Sequence, residues 1–385
     1  MNPPPLIEHE RLAFLPPKYW HHHEFCFFLH DQLVQLLAEY EQSGSHRWVA
    51  EAFEKVLKER GTTAGEVDIL DFLKAHSLVS LYKHHIVSHL VLGLTSDLLH
   101  FLYEALRCFE KRKFAVAFSL LRKPLKENLL FLAWLLGNED DFLSRFEKNN
   151  YTTLNGVTPE RRKEYFADAI SRLPTKEAFA ADLLEDLIYS KTNIRSFEPT
   201  WQRASHLITS QGATMRTEDL NINFIFNDAS ADGLYDLLYA NLPYVLLYAT
   251  HVVLECFARV MRANELTTSH LILSSLGAFE CLFERKPKVG VTAMLGRHLK
   301  PFLKCLHCSS SIRLSSANAV SMYLQEVLQC HKCKLASPFP LYWLFAQANI
   351  KISRDDTKSL LEEITDDTER TWTTKGAETE RKDAP

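Results

Sequence analysis

Glycine is scarce in this chain, with 12 among 385 residues. That shortage argues against a β-rich or doubly wound α/β architecture, where tight turns demand left-handed backbone. The recognisable catalytic signatures are missing too. There is no glycine loop to cradle phosphate, no Gly-x-Ser-x-Gly elbow and no His-Glu-x-x-His pair. In no case does a histidine follow an arginine at the five-to-seven-residue spacing used by small all-helical ribonucleases of the HEPN type. Asp228-Ala-Ser-Ala-Asp232-Gly233 imitates the start of a Ca²⁺ loop, but Tyr239 stands where the bidentate acid belongs, so it reads as a turn and helix cap.

Charge-free apolar runs of membrane length are also lacking. Leu129–Leu136 is too short, and Tyr244–Met261 carries His251, Glu255 and Arg259, costly in a bilayer. Met1-Asn-Pro-Pro-Pro shows neither the basic start nor the apolar stretch of a secretory signal. Cys26, Cys108, Cys256 and Cys281 stand singly in apolar runs and read as small buried hydrophobes, not as a disulfide framework. The expectation is a soluble, cytoplasmic protein.

What is present is helical periodicity. The fold class expected is mainly α: a multi-helical body with a C-terminal Cys₄ zinc-ribbon-like module. Residues 1–17 form a Pro-rich arm, and 18–290 the helical body, as one unit or as two with a break near 138–158. Within it, apolar spacing predicts helices over Phe25–Tyr40, Trp48–Leu57, Leu78–Lys111, Phe114–Leu136, 159–172, 175–190, 199–210, 231–262 and 268–284. Thr158-Pro159 is a helix start, an N-cap followed by proline at the first helical position. Leu220–Phe226 alternates like a strand. A module with a hydrophobic helix follows over 291–350, and the charged residues 351–385 read as a disordered tail.

Four cysteines dominate the functional reading: Cys305-Leu-His-Cys308 and Cys330-His-Lys-Cys333. Two Cys-x-x-Cys knuckles can place four thiolates around one Zn²⁺. Four thiolates leave no open coordination position, so the metal is expected to be structural. His307 and His331 lie between the paired cysteines as substitute ligands, though four cysteines are the simpler set. Zinc is expected to supply the folding energy of a segment with little core of its own.

The same stretch is basic. Residues 285–334 hold nine Lys and Arg against Glu326 alone, a local charge of +8; the tail from 335 carries −3, leaving −9 on residues 1–284 of a chain whose total is −4. Arg297, Lys300, Lys304, Arg313, Lys332 and Lys334 are the candidate contacts to nucleic acid or another acidic partner, with Tyr323 an aromatic residue nearby. The helical body is expected to meet a protein partner or a second copy of itself.

The alternative from a different class is a helical enzyme, a nuclease or other hydrolase, with the zinc module as an appendage. Its candidates are Arg122 and Glu127, charges in an otherwise apolar segment, together with His206 and the pair His85 and His89 one helical turn apart. Bland readings compete with each. Buried charges pair across helices, and a histidine row on a polar face is solvated or packed. His21-His22-His23 is a poor metal cage because adjacent side chains diverge.

Overall fold

A computed structural model describes residues 6–44, parts of 50–61, 68–75, 78–148, 156–210, parts of 216–223, 231–261 and 264–352. The described residues form fifteen α-helices: α1 His9–Leu12, α2 Trp20–Ser43, α3 Ile69–Ala75, α4 Val79–Glu110, α5 Phe114–Lys123, α6 Leu129–Gly137, α7 Glu139–Glu147, α8 Pro159–Arg172, α9 Ala181–Tyr189, α10 Phe197–Ser205, α11 Ala231–Val260, α12 Glu265–Phe283, α13 Val291–His298, α14 Ser316–Gln325 and α15 Leu341–Gln347. One antiparallel pair, β1 Val327–Gln329 and β2 Ala336–Pro338, completes the description.

Helix α11 is the axis. Tyr235, Leu238, Leu242, Val245, Val252 and Val260 are fully buried along it, and α2, α4, α6 and α12 pack around it. One contiguous apolar core runs from Leu12 to Ile350. Helices α4, α11 and α12 are each long and apolar enough to cross a membrane, by length and composition alone. Of their most apolar windows, 39%, 83% and 67% are buried inside the protein.

Local chemistry explains the breaks. Asn138 ends α6 and caps α7, its side chain accepting the Asp141 N–H at 3.1 Å. Thr158 caps α8 in the same way, with Pro159 at the first position. The stretch Phe114–Leu136 does not run as one regular α-helix. Pro124 has no N–H to give, and the ladder widens there to a π-turn over Pro124–Asn128, closed by the Leu129 N–H on the Pro124 carbonyl.

The predicted ion-pair role of Arg122 and Glu127 passes to their neighbours. Glu127 is exposed and Arg122 half-buried, whereas Lys123 meets Asp97 at 2.7 Å and Lys126 meets the buried Glu198 at 2.7 Å. Of the expected strand Leu220–Phe226, only Leu220, Ile222 and Asn223 are described, and none lies in a strand. The described part of Trp48–Leu57 (residues 50, 51, 53–55 and 57) is helical, whereas the turn at Asp228 and the tail from 353 fall outside the described residues.

Residues 9–15 dock against the body, with Leu12 and Leu15 buried. Arg11 reaches the fully buried Glu110, Nη2 to Oε1 2.6 Å, and Arg107 holds the other carboxylate oxygen at 2.7 Å. His23 Nε2 approaches Glu110 at 3.3 Å, and its Nδ1 lies 2.8 Å from the Tyr239 hydroxyl. Burial raises the Glu110 pKa, but the bonds from His23 and Arg11 more than reverse this and hold it below the ordinary range.

Candidate metal centre

Cys305, Cys308, Cys330 and Cys333 converge, with all four sulfurs within 4.8 Å of one another, close enough to hold a metal ion. Two knuckles with matching hydrogen bonds build this cluster. In the first, the Ser309 N–H donates to the Cys305 carbonyl, the Cys305 N–H to the Ser310 carbonyl, and the His307 N–H points at Cys305 Sγ, at 2.9, 2.9 and 3.4 Å. In the second, Lys334, Leu335 and Lys332 play these roles around Cys330 at the same distances. Each turn closes with a left-handed residue after its second cysteine, Ser309 at φ 57° and Lys334 at φ 63°. Neither is glycine, so each costs about 1–2 kcal/mol of backbone strain.

Across the knuckles, Cys305 and Cys333 sulfurs are 3.5 Å apart and those of Cys308 and Cys330 3.7 Å; the cysteines are free thiols. The Ser310 hydroxyl lies 3.0 Å from Cys308 Sγ and 3.3 Å from Cys330 Sγ. This hydroxyl, helped by backbone N–H groups, draws the Cys330 pKa down to about 5. Cys333 shows the opposing effect. The Leu335 N–H favours its thiolate, yet burial and the neighbouring sulfurs push it up to about 11. A set of four thiolates therefore needs a cation among them. His307 is committed elsewhere, its Nε2 3.2 Å from the Ala336 carbonyl, and His331 is exposed and outside the cluster.

The segment around this centre has more core than its sequence suggests. Ile312, Val320, Met322, Tyr323, Leu328, Phe339, Leu341 and Phe345 are buried and continuous with the body. Helix α12 carries α13, α14 and α15 on its flank. Gly277 lets the Tyr323 ring lie against α12: a Cβ there would come within 2.3 Å of the ring. Tyr323 Oη meets Thr292 Oγ1 at 3.0 Å. The buried Glu280 accepts three N–H bonds, from Val289, Gly290 and Val291, at 3.0, 2.7 and 2.7 Å.

Arg297, Lys300, Lys304, Arg313, Lys332 and Lys334 are all exposed, and none appears among the ion pairs of the described residues. Folding adds an aromatic group that the local sequence did not show. Trp343 is 52% exposed, with its ring edge-on to Phe302 at 6.2 Å.

The enzyme candidates do not assemble. His85 and His89 line a cavity beside α4, and neither Arg122, Glu127 nor His206 lines it. His206 is exposed at the end of α10. Comparison with protein-family models, with curated protein sequences and with solved structures yields no match.

Proposed function

We propose that this chain is a cytoplasmic zinc-binding recognition protein whose basic module engages nucleic acid, while its helical body serves protein contact. The observation carrying the reading is six exposed cations, in no ion pair among the described residues, in the same stretch of chain as a four-cysteine cluster. Zn–S bonds of about 2.3 Å in a tetrahedron place sulfurs about 3.8 Å apart, and the distances of 3.5 and 3.7 Å across the knuckles suit that geometry without a disulfide. The module then resembles a zinc ribbon with a helix, α14, inserted between its knuckles. The metal is structural, because four sulfurs close its coordination sphere.

Recognition works here by positioning, not by bond-making. Lys and Arg displace the counterions condensed on the phosphates, so affinity falls as salt rises, and the half-exposed Trp343 offers a base a face on which to stack. Elemental analysis is expected to give one zinc per chain. Labelled single-stranded RNA or DNA is expected to bind with a steep salt dependence. Replacing Lys304, Arg313, Lys332 and Lys334 together by Ala is expected to flatten that dependence and weaken binding at least tenfold; unchanged binding rejects the role.

A further inference from the structure

The two cysteine knuckles match at the backbone and differ at one side chain. In both, the residue two places after the second cysteine gives its N–H to that cysteine's sulfur, Ser310 to Cys308 and Leu335 to Cys333. The same position thus carries a hydroxyl in the first knuckle and a hydrocarbon in the second.

That hydroxyl reaches both knuckles. Ser310 Oγ lies 3.0 Å from Cys308 Sγ and 3.3 Å from Cys330 Sγ, and these two sulfurs are 3.7 Å apart. The opposite pair, Cys305 and Cys333 at 3.5 Å, has no such bridge among the described residues. Apart from the cysteines themselves, Ser310 supplies the only side chain among the described residues that hydrogen-bonds to the four sulfurs.

A sulfur that binds a metal has lost its proton and can only accept, so the hydroxyl must donate. Four thiolates around a divalent cation leave a net charge of −2 in a partly buried site. Every donor aimed at sulfur draws off part of that charge. The backbone donors are fixed by the turns. The hydroxyl is the donor that a substitution can remove.

We propose, on the reading of the four cysteines as a metal site, that Ser310 is a positioning residue for the ion. Its one proton, shared between Cys308 and Cys330, ties the two knuckles together at that edge and withdraws charge from their sulfurs. The ion is held more tightly there, and the sulfur electrons are less easily given up.

Titration of the full chain with Co²⁺, followed by Zn²⁺ in competition with a chromophoric chelator, tests this. The unsubstituted chain is expected to take up one Co²⁺ with sulfur-to-cobalt charge-transfer absorption. Ser310→Ala is expected to weaken Zn²⁺ binding about tenfold, a loss common for a partner that hydrogen-bonds to a metal ligand. It is also expected to move the charge-transfer band to longer wavelength, because sulfur without its donor yields electrons more readily. Ser310 is only half-buried, so the truncation opens no cavity in the core. Ser310→Thr keeps the hydroxyl and is expected to restore both readouts. Affinity lost without a band shift, or not regained with Thr, marks a packing role and overturns the proposal. Unchanged Zn²⁺ binding by Ser310→Ala overturns it too, while leaving the metal site standing. An unsubstituted chain that binds neither metal overturns both.

Discussion

Basic side chains in the helical body face carboxylates, while those in the stretch that holds the four clustered cysteines face solvent. Arg11 and Arg107 close on Glu110, Arg162 on Glu185 and Lys126 on Glu198, each at 2.6–2.8 Å against a buried or nearly buried acid. On the module, the six cations from Arg297 to Lys334 have no such partners among the described residues. The two regions also differ in how buried polar groups are satisfied. The body does it with side-chain pairs far apart in sequence, such as His23 with Glu110 and Tyr239. The module does it with backbone N–H groups on sulfurs and on Glu280. Charge spent on register in one region remains available for contact in the other.

The two regions are expected to separate most visibly at the four cysteines. Cys308→Ser, or stripping by a strong chelator, is expected to remove on the order of 10 kcal/mol of binding-linked folding energy from the module. Protease cleavage confined to 297–340, with most helical circular dichroism kept, is the expected readout. Global unfolding would show that the two regions are not separable in this way.

Glu110→Ala leaves Arg11, Arg107 and the buried His23 without their common partner and is expected to cost the body about 3–5 kcal/mol. Denaturant melts measure this, and zinc content should not move. Gly277→Ala forces a Cβ into the Tyr323 ring and is expected to cost about 1–3 kcal/mol, seen as earlier proteolysis of the module while the body melts as before.

Acid acts on both regions and on the seam between them. Burial holds His251 at about 3, and His22 and His270 at about 4, all below the ordinary 6.5. Their folded-state values are depressed, so the stability they allow is present above pH 6.5 and is lost as pH falls from there toward 4. Each neutral ring costs up to about 1.4 kcal/mol per unit. His270 packs against Tyr342 and Phe345 of the module, so His270→Phe should lessen the loss at the seam. Thermal stability that stays flat between pH 6.5 and 5 would contradict this. The smallest effect belongs to the four-alanine variant of the basic rim, expected to change stability by only a few tenths of a kcal/mol per site while weakening nucleic-acid binding.

Long helices were legible in the sequence because apolar spacing and caps act locally. Leu78–Lys111 is observed as Val79–Glu110, and Thr158-Pro159 starts α8 where its chemistry requires. The strands β1 and β2 have three residues each, too few to express a period of two. Four cysteines in two knuckles announced their convergence, because each knuckle is one turn of chain. The Arg11–Glu110–His23–Tyr239 network joins positions up to 216 residues apart, and no local pattern carries that information. Trp343 carries no local signal for the same reason. It lies beyond the basic stretch in sequence, and only the fold returns it to Phe302.

The connection between α12 and α13 has a mechanical consequence. Arg285-Lys286-Pro287-Lys288 leaves the end of α12, and Glu280 of that helix and Glu284 at its C-cap hold the backbone N–H groups of Lys288 through Val291. Two carboxylates clamp the tether to the helix it departs from, so the module is bolted to the body at a fixed angle. On the proposed function, a polymer lying on the knuckles would be held in one orientation relative to α12, and whatever docks on the helices would be indexed to a defined point along that polymer.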